Sequence, residues 1–285
     1  MRSFLFVPAD SIRKFEKASA SPADALILDL EDSVALGSKA PARTVVREML
    51  GAPRGRQDRF VRINSFDTGF ALLDLAAVMS HAPDGIVLPK CEGPDDLRKL
   101  DHYLDAFEAT HGVEETKILP IVTETAASLF TLGQYRNCSA RLWGMMWGAE
   151  DLAASLGSTS NILDGIYHEP FRLARNLCLA VAAAAGVVAV DAICTELCDL
   201  SVVRHESEIA KRDGFQAKAV IHPKHVEAVN RSFAPNEAEV SWARKVIDAF
   251  EAPPQAGTIR IDGKMVDLPH KKTALAIIAA SAPKT

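Results

Sequence analysis

The segment KILPIVTETAASLF (117–130) is followed, after a short loop, by RLWGMMWGAEDLAASLG (141–157). Each segment contains an apolar run typical of a buried strand, and these runs end at Glu124 and at Glu150 and Asp151. A carboxylate at such a strand end is costly to desolvate unless a metal ion or a bound substrate compensates its charge. Because neighbouring strands lie about 4.8 Å apart, we expect Glu124 and Asp151 to lie side by side as a divalent-cation site.

Eight short apolar or β-branched runs, most of them followed by a helical pattern, extend this arrangement along the chain. They lie at 3–9, 24–32, 59–65, 84–90, 117–124, 141–148, 186–192 and 217–223. Apolar strands that alternate with helices indicate a parallel sheet covered on both faces, and eight of them favour a closed barrel. The sequence lacks the glycine-rich phosphate-loop motifs of open nucleotide-binding sheets. The predicted fold class is therefore α/β, a (β/α)8 TIM barrel.

Polar residues follow nearly every predicted strand, at the barrel end where active sites lie. They are Asp29, Glu31, Asp32, Arg62, Asn64, Lys90, Glu124, Glu150, Asp151, Asp191 and His222. So many polar strand ends predict a lined cavity. We interpret Asp29, Glu31 and Asp32 as salt-bridge and hydrogen-bond partners at the barrel mouth, with the orientation of Arg62 or of metal-bound water as the alternative.

Four of these strand ends have competing interpretations. We expect Arg62 to hold substrate oxygens through charge-assisted bonds, with a simple ion pair as the alternative. Glu150 supports the site or faces solvent, and metal binding remains open for it. We expect Lys90 to form an ion pair rather than a Schiff base, and His222 to be packed or hydrogen-bonded rather than catalytic.

Composition and charge disfavour several other classes of protein. The 285 residues carry a net charge of -5, so no global positive field favours nucleic acid or an anionic membrane. The five cysteines include no CxxC pair, which indicates reduced thiols in a cytoplasmic protein and no zinc site. The N-terminal apolar run is too short for a signal peptide. The apolar segment 177–193 contains Gly186, which predicts a helix, a glycine stop and a buried strand rather than a membrane span.

The C-terminal part of the chain departs from the barrel pattern. A Pro/Gly-containing linker precedes TIRIDGKMVDLPHKKTALAIIAAS (258–281). Asp262 and Gly263 predict a hairpin turn, and a short helix is expected after it. We therefore divide the chain into a catalytic barrel domain, 1–252, and a hairpin and helix extension, 253–285, which we expect to reach a neighbouring subunit.

Several motifs, taken in order, carry a resemblance to a known family. They are RSFLFVPA (2–9), LILDLEDSV (26–34), KAPAR (39–43), VRIN (61–64), IVLPK (86–90), IVTETAASLF (121–130), GAEDLAASLG (148–157), GFQAKAVIHP (214–223) and GKMVDLP (263–269). Together they resemble the citrate lyase β-subunit-like group of the HpcH/HpaI aldolase superfamily, which includes malyl-CoA and citramalyl-CoA lyases. The resemblance spans essentially the whole chain.

The resemblance implies a TIM barrel that binds Mg²⁺, with Mn²⁺ as a substitute, and a CoA thioester of a short hydroxy-diacid. It carries the family's metal ligands onto Glu124 and Asp151, and the family's substrate-holding arginine onto Arg62. It further implies a homotrimer or a hexamer of trimers. One departure is Trp147, where the family more commonly has phenylalanine.

The resemblance also implies two contributions from outside the strand ends. An aspartate of an adjacent subunit that takes part in catalysis falls on Asp267. Early basic residues that contact CoA fall on Arg13 or Lys17.

The expected activity is Mg²⁺-dependent cleavage or formation of a β-hydroxyacyl-CoA, with a 2-oxo acid (glyoxylate or pyruvate) and an acyl-CoA as the other reactants. Two alternatives remain. The same site would serve an acyl-CoA thioesterase if water reached the thioester. The second alternative is a non-catalytic subunit of a citrate lyase-like complex. The presence of both Glu124 and Asp151 argues against it, because an inactive site would not need both acids. A CoA-free aldolase is disfavoured because the LFVPA and LDLED motifs belong to the CoA-using branch.

Overall fold

The structure, a computed structural model, describes residues 1–252 and 257–281. Its strands are β1 Ser3–Pro8, β2 Ala25–Asp29, β3 Asp58–Arg62, β4 Gly85–Leu88, β5 Lys117–Pro120, β6 Gly144–Met146, β7 Ile162–Leu163, β8 Ile166–Tyr167, β9 Val188–Asp191, β10 Ala217–Val220, β11 Thr258–Ile261 and β12 Lys264–Asp267. Its α-helices are α1 Ile12–Ser19, α2 Lys39–Gly51, α3 Ala71–Val78, α4 Pro94–His111, α5 Glu150–Leu156, α6 Glu169–Ala185, α7 Leu200–Asp213, α8 Pro223–Phe233, α9 Glu237–Glu251 and α10 Leu268–Ser281. Residues 253–256, the centre of the predicted linker, lie outside the described residues.

Eight parallel strands form one sheet in the order β5, β4, β3, β2, β1, β10, β9, β6. The two ends of this sheet meet through backbone hydrogen bonds. Ile118 N donates to Arg141 O at 2.8 Å, Trp143 N to Ile118 O at 3.0 Å, and Val122 N to Met146 O at 2.9 Å. These bonds make the sheet a nearly closed barrel, so the predicted (β/α)8 fold is confirmed.

Large and small side chains share the interior of the barrel. The rings of Phe4 and Phe60 pack edge to face with their centroids 5.5 Å apart, and Ala217 and Ala219 of β10 are buried in the same cluster. A Cβ atom on Gly85 would lie 2.3 Å from the Phe60 ring. The packing therefore requires glycine at the start of β4, and side chains fill the interior of the barrel.

Helices follow most of the barrel strands, whereas 3₁₀ turns follow β5. Helix α6 ends before Gly186, whose φ is 74°, and β9 follows at once, as predicted. Between β5 and β6, where the structure describes every residue, the chain forms two 3₁₀ turns and no α-helix. Ser128 Oγ donates to Thr125 O at 2.6 Å, and Ser128 N donates to Thr125 Oγ1; such side-chain bonds compete with α-helical ones. Across the described part of the chain, no helix combines the length and apolarity needed to cross a bilayer.

The chain divides into two compact units, Met1–Asn230 and Arg231–Thr285. The described part of the second unit contains the predicted hairpin of β11 and β12, whose turn residues Asp262 and Gly263 have positive φ values of 48° and 79°. Helices α9 and α10 pack together with this hairpin around Val246, Phe250 and Val266. Helix α9 thus packs with the hairpin and helix of the extension.

Candidate active site

A cavity of about 390 Å³ lies at the carboxyl ends of the barrel strands. One part of its wall is apolar, with Phe6, Ile121, Met146, Ile193 and Ile221. The other part carries the ionisable residues Asp29, Asp32, Arg62, Glu124, Glu150 and Asp151. The first unit therefore brings six of the predicted strand-end residues to one cavity, which has both a charged side and an apolar side.

Arg62, at the end of β3, is held by the carboxylate directly opposite on β2. Asp29 and Arg62 are register partners, and the guanidinium donates two bonds of 2.7 Å to the Asp29 carboxylate. Its Nη1 lies 2.9 Å from Glu31 Oε2, and its Cζ lies 4.9 Å from the centre of the Phe6 ring. Burial alone would raise the pKa of Asp29, but Arg62 lowers it below the ordinary value. The pair is therefore ionised, and the guanidinium is fixed at the cavity wall.

Lys90 contacts Glu31, which also binds Arg62, and it contacts the acids Glu124 and Asp151. Its ammonium forms an ion pair with Glu31 and lies 3.3 Å from Asp151 Oδ1. Its backbone has a φ of 49°, and its backbone N donates to Glu124 Oε2 at 2.5 Å. Burial raises the pKa of Glu31 to about 7, although Arg62 and Lys90 act against this shift. Lys90 thus forms the predicted ion pair.

Glu124 and Asp151 both line the cavity, and the charge of Asp151 acts on Glu124. Glu124 is 3% exposed. Burial, and after it the charge of Asp151, raises the pKa of Glu124 to about 8. Gly148 lies against the Glu124 side chain, because a Cβ atom there would come within 2.8 Å of Glu124 Cγ. A cation bound by both carboxylates would offset the charge repulsion that contributes to this shift in the pKa of Glu124.

The donor set at this place fits a hard cation. Mg²⁺ prefers carboxylate oxygens and commonly takes only one or two of them from the protein, with substrate and water completing its octahedron. Glu124 and Asp151 supply two such carboxylates on the cavity wall. Among residues 1–252 and 257–281, no group of three His, Cys, Asp or Glu side chains is arranged to hold a metal. The site thus fits a cation that shares its coordination sphere with a ligand.

Four further predicted residues are Glu150 on the cavity wall, Arg13 and Lys17 on α1, and Asp267 in the second unit. Glu150 accepts a hydrogen bond from Asn161 Nδ2 at 2.7 Å. Arg13 and Lys17 are exposed on α1, and neither lines the cavity described above. Asp267 lies in the second unit, where its Oδ1 is 2.5 Å from His270 Nδ1. The CoA contacts of α1 and the catalytic role of Asp267 stay predictions.

Asp191 differs from the other strand ends, because its carboxylate is used by a buried ion network. It accepts from Trp147 Nε1 at 2.7 Å, Arg175 Nε at 3.0 Å and Lys218 Nζ at 2.9 Å. Burial alone would raise the pKa of Asp191, but Lys218 and Arg175 lower it. Lys218 interrupts the apolar run AKAV (217–220), and this charge in a strand is the sequence signal for the network.

His222 has packing and hydrogen-bonding contacts. Its Nδ1 accepts from the backbone N of Lys224 at 3.1 Å, and its ring centre lies 5.8 Å from that of His225.

Comparison with known proteins adds the family. The sequence model of the HpcH/HpaI aldolase/citrate lyase family matches residues 2–223, a range that contains all eight barrel strands and the whole cavity wall. The chain belongs to this family. The resemblance carried by the sequence motifs is thereby confirmed.

Individual family members are similar over nearly the full length. A citrate lyase subunit beta-like protein of Mycobacterium tuberculosis is 34% identical over 276 residues, covering 95% of this chain and 93% of that protein. A (3S)-malyl-CoA thioesterase of Cereibacter sphaeroides is 34% identical over 285 residues, covering 98% and 93%. A crystal structure of CitE from M. tuberculosis with magnesium, acetoacetate and coenzyme A has a TM-score of 0.82, 32% identity, and coverage of 98% and 97%.

Proposed function

We propose that this protein is a Mg²⁺-dependent carbon–carbon lyase that acts on a β-hydroxyacyl-CoA such as malyl-CoA or citramalyl-CoA. It would release glyoxylate or pyruvate and an acyl-CoA, or run in the reverse direction. The observation that carries the proposal is that Arg62, Glu124 and Asp151 line one cavity. This set combines a carboxylate pair suited to a hard cation with a fixed guanidinium suited to carboxylate or enolate oxygens.

Glu124 and Asp151 would hold the metal in this scheme. When bound there, Mg²⁺ supplies Lewis-acid polarisation of a substrate carbonyl. Arg62 would bind and orient oxygens of the substrate, since its position is fixed by two bonds to Asp29. The apolar part of the wall would face the rest of the acyl group. A base must also take the hydroxyl proton, and we assign this step to the carboxylate of Asp267 from a neighbouring subunit.

The solved relatives support the choice of ligands. CitE from M. tuberculosis has been crystallised with magnesium, acetoacetate and coenzyme A, and with magnesium and pyruvate, at a TM-score of 0.74 and 30% identity. We extend magnesium and CoA thioester binding from these relatives to this chain. A trimer or a hexamer of trimers, with Asp267 contributed between subunits and Arg13 or Lys17 contacting CoA, belongs to the same proposal.

A second activity is favoured by one relative. The Cereibacter protein is named a (3S)-malyl-CoA thioesterase and is as similar to this chain as the lyase-like relatives. Hydrolysis of the thioester would need the same metal and guanidinium and would differ in the access of water to the thioester carbon. Free CoA thiol and an intact hydroxy-diacid would be its products.

Product analysis separates the two activities. Purified protein is incubated with malyl-CoA or citramalyl-CoA in the presence of Mg²⁺ or of EDTA, and 2-oxo acid, acyl-CoA and free thiol are quantified together. We expect a 2-oxo acid and an acyl-CoA in equal amounts, with Mg²⁺ only, and loss of both products in Glu124→Gln. Thiol release without 2-oxo acid would assign the thioesterase. No turnover of either thioester would overturn the proposed lyase.

A further inference from the structure

Lys39, the first residue of the KAPAR motif, is a buried lysine whose ammonium binds backbone carbonyls. Its side chain reaches from α2 to the loop after β2, where Nζ donates to Leu30 O at 2.8 Å and to Glu31 O at 2.6 Å. Lys39 is only 8% exposed. These two carbonyls belong to the peptide groups on either side of the Glu31 Cα atom. The ammonium therefore fixes the backbone on both sides of Glu31.

Arg43, the last residue of the same motif, reaches this loop through two buried intermediates. Its Nε donates to Asp74 Oδ1 at 2.7 Å. The other oxygen, Asp74 Oδ2, accepts from the backbone N and the Nδ2 of Asn64 at 2.8 and 2.7 Å. Asn64 Nδ2 also donates to Leu30 O at 3.0 Å. Both basic residues of the motif thus converge on the carbonyl of Leu30.

This convergence connects the two elements that carry the charged wall of the cavity. Asn64 follows Arg62 by two residues at the end of β3, and Leu30 precedes Glu31. The Glu31 carboxylate in turn contacts both Arg62, at 2.9 Å, and the Lys90 ammonium. A shift of the loop would move Glu31 away from both cations and remove one of the carboxylates that hold Arg62.

We propose that Lys39, together with Asn64, is a positioning residue that holds Glu31 against Arg62 and Lys90. Neither residue contacts Glu124 or Asp151 by any hydrogen bond or ion pair found in the described residues. The role is therefore to fix Glu31 and, through it, the guanidinium of Arg62 and the ammonium of Lys90, which itself lies 3.3 Å from Asp151 Oδ1. This inference rests on the proposed lyase function.

The test is a double-mutant cycle between Lys39→Met and Glu31→Gln in the full-length protein. Methionine keeps an unbranched side chain and removes the ammonium. Loss of a residue that orients a site group typically costs roughly 10–100-fold in activity, and we expect this loss in the kcat of Lys39→Met for the cleaved thioester. If Lys39 acts through Glu31, the losses in kcat of the two single variants do not multiply. Lys39→Met should then lower kcat by less than about threefold when Glu31→Gln is already present.

Two controls separate positioning from a general loss of structure. Arg47→Met removes a cation from an exposed position of the same helix and is expected to leave kcat unchanged. Mg²⁺ binding to Lys39→Met, measured by calorimetry, is expected to persist because Glu124 and Asp151 are retained, and its complete loss would indicate a general loss of structure and overturn the positioning role. Equal losses in Arg47→Met, fully multiplicative losses in the cycle, or an unchanged kcat in Lys39→Met would each overturn the positioning role.

Asn64→Ala provides the same test if Lys39→Met does not fold. It removes one donor to Leu30 O and retains the bond between Arg43 and Asp74. Its loss in kcat is also expected to disappear in the Glu31→Gln background, and a loss that persists there would overturn the inference. Absence of carbon–carbon cleavage in the unmodified protein would overturn the proposed function, and with it this inference. An active protein with additive losses would overturn the inference alone.

Discussion

Replacing Gly148 by alanine tests whether the position of Glu124 decides cation binding. The backbone of Gly148 is not in the left-handed region, so alanine can adopt it, but its Cβ would lie 2.8 Å from Glu124 Cγ and 3.3 Å from Glu124 Oε1. Overpacking of this kind costs about 1–3 kcal/mol. It lowers Tm by about 2–4 °C for each kcal/mol in a protein of this size. The cheapest relief is movement of Glu124, which displaces one of the two proposed metal-binding carboxylates.

Thermal unfolding followed by circular dichroism, with Mg²⁺ and with EDTA, measures both consequences. A cation that binds only the folded state raises its stability, by about 2.7 kcal/mol at a concentration 100 times Kd. A tenfold weaker affinity removes about 1.4 kcal/mol of this gain. We expect Gly148→Ala to lower Tm in EDTA and to reduce the rise that Mg²⁺ produces. Gly133→Ala, whose Cβ would meet no atom within 4 Å, should change neither. If Gly148→Ala had the Tm and the Mg²⁺ response of the unmodified protein, the close contact between Gly148 and Glu124 would not control cation binding.

Three further outcomes are expected from the buried charges. Lys218→Met leaves Asp191 without one of its cations, and urea unfolding should show a loss of about 3–5 kcal/mol; a negligible loss would contradict the network. The pKa of Asp191 is lowered in the folded state. The stability that ionised Asp191 contributes is therefore present above the unfolded pKa of about 3.9 and is lost as pH falls through the lower folded pKa. The urea midpoint of Asp191→Asn should consequently fall less steeply below about pH 4 than that of the unmodified protein. Arg62→Lys keeps the charge without the paired bonds to Asp29, so kcat should drop by roughly 10²–10³ with Mg²⁺ affinity retained, whereas an unchanged kcat would remove Arg62 from the site.

The barrel could be predicted from the sequence because its strands are short continuous apolar runs. Each run from 3–9 to 217–223 overlaps one observed strand, with β3 beginning one residue before its run, and the acids or bases that end several of these runs meet at one cavity. Residues that end the strands of a parallel barrel meet in this way because the carboxyl ends of all its strands lie at the same end of the barrel. The register between β2 and β3 then places Asp29 opposite Arg62.

Side-chain direction could not be predicted in the same way. Asp191 also ends a strand, yet its carboxylate pairs with Arg175 and Lys218, because partners contributed by other elements decide where a buried charge is satisfied. The role of Lys39 depends on a bond from a helix to carbonyls eight and nine residues earlier, and residue periodicity carries no information about such bonds. The 3₁₀ turns after β5 likewise depend on the local hydrogen bonds of Ser128.

Calorimetric titration of the purified protein with Mg²⁺ measures cation binding at Glu124 and Asp151 without any knowledge of the substrate. We expect one Mg²⁺ per chain, and loss of this binding in both Glu124→Gln and Asp151→Asn. Glu92→Gln, a change at an exposed acid outside the cavity wall, should bind as the unmodified protein does. No binding to the unmodified protein, or full binding to either cavity variant, would contradict the assignment of Glu124 and Asp151 to a single metal site.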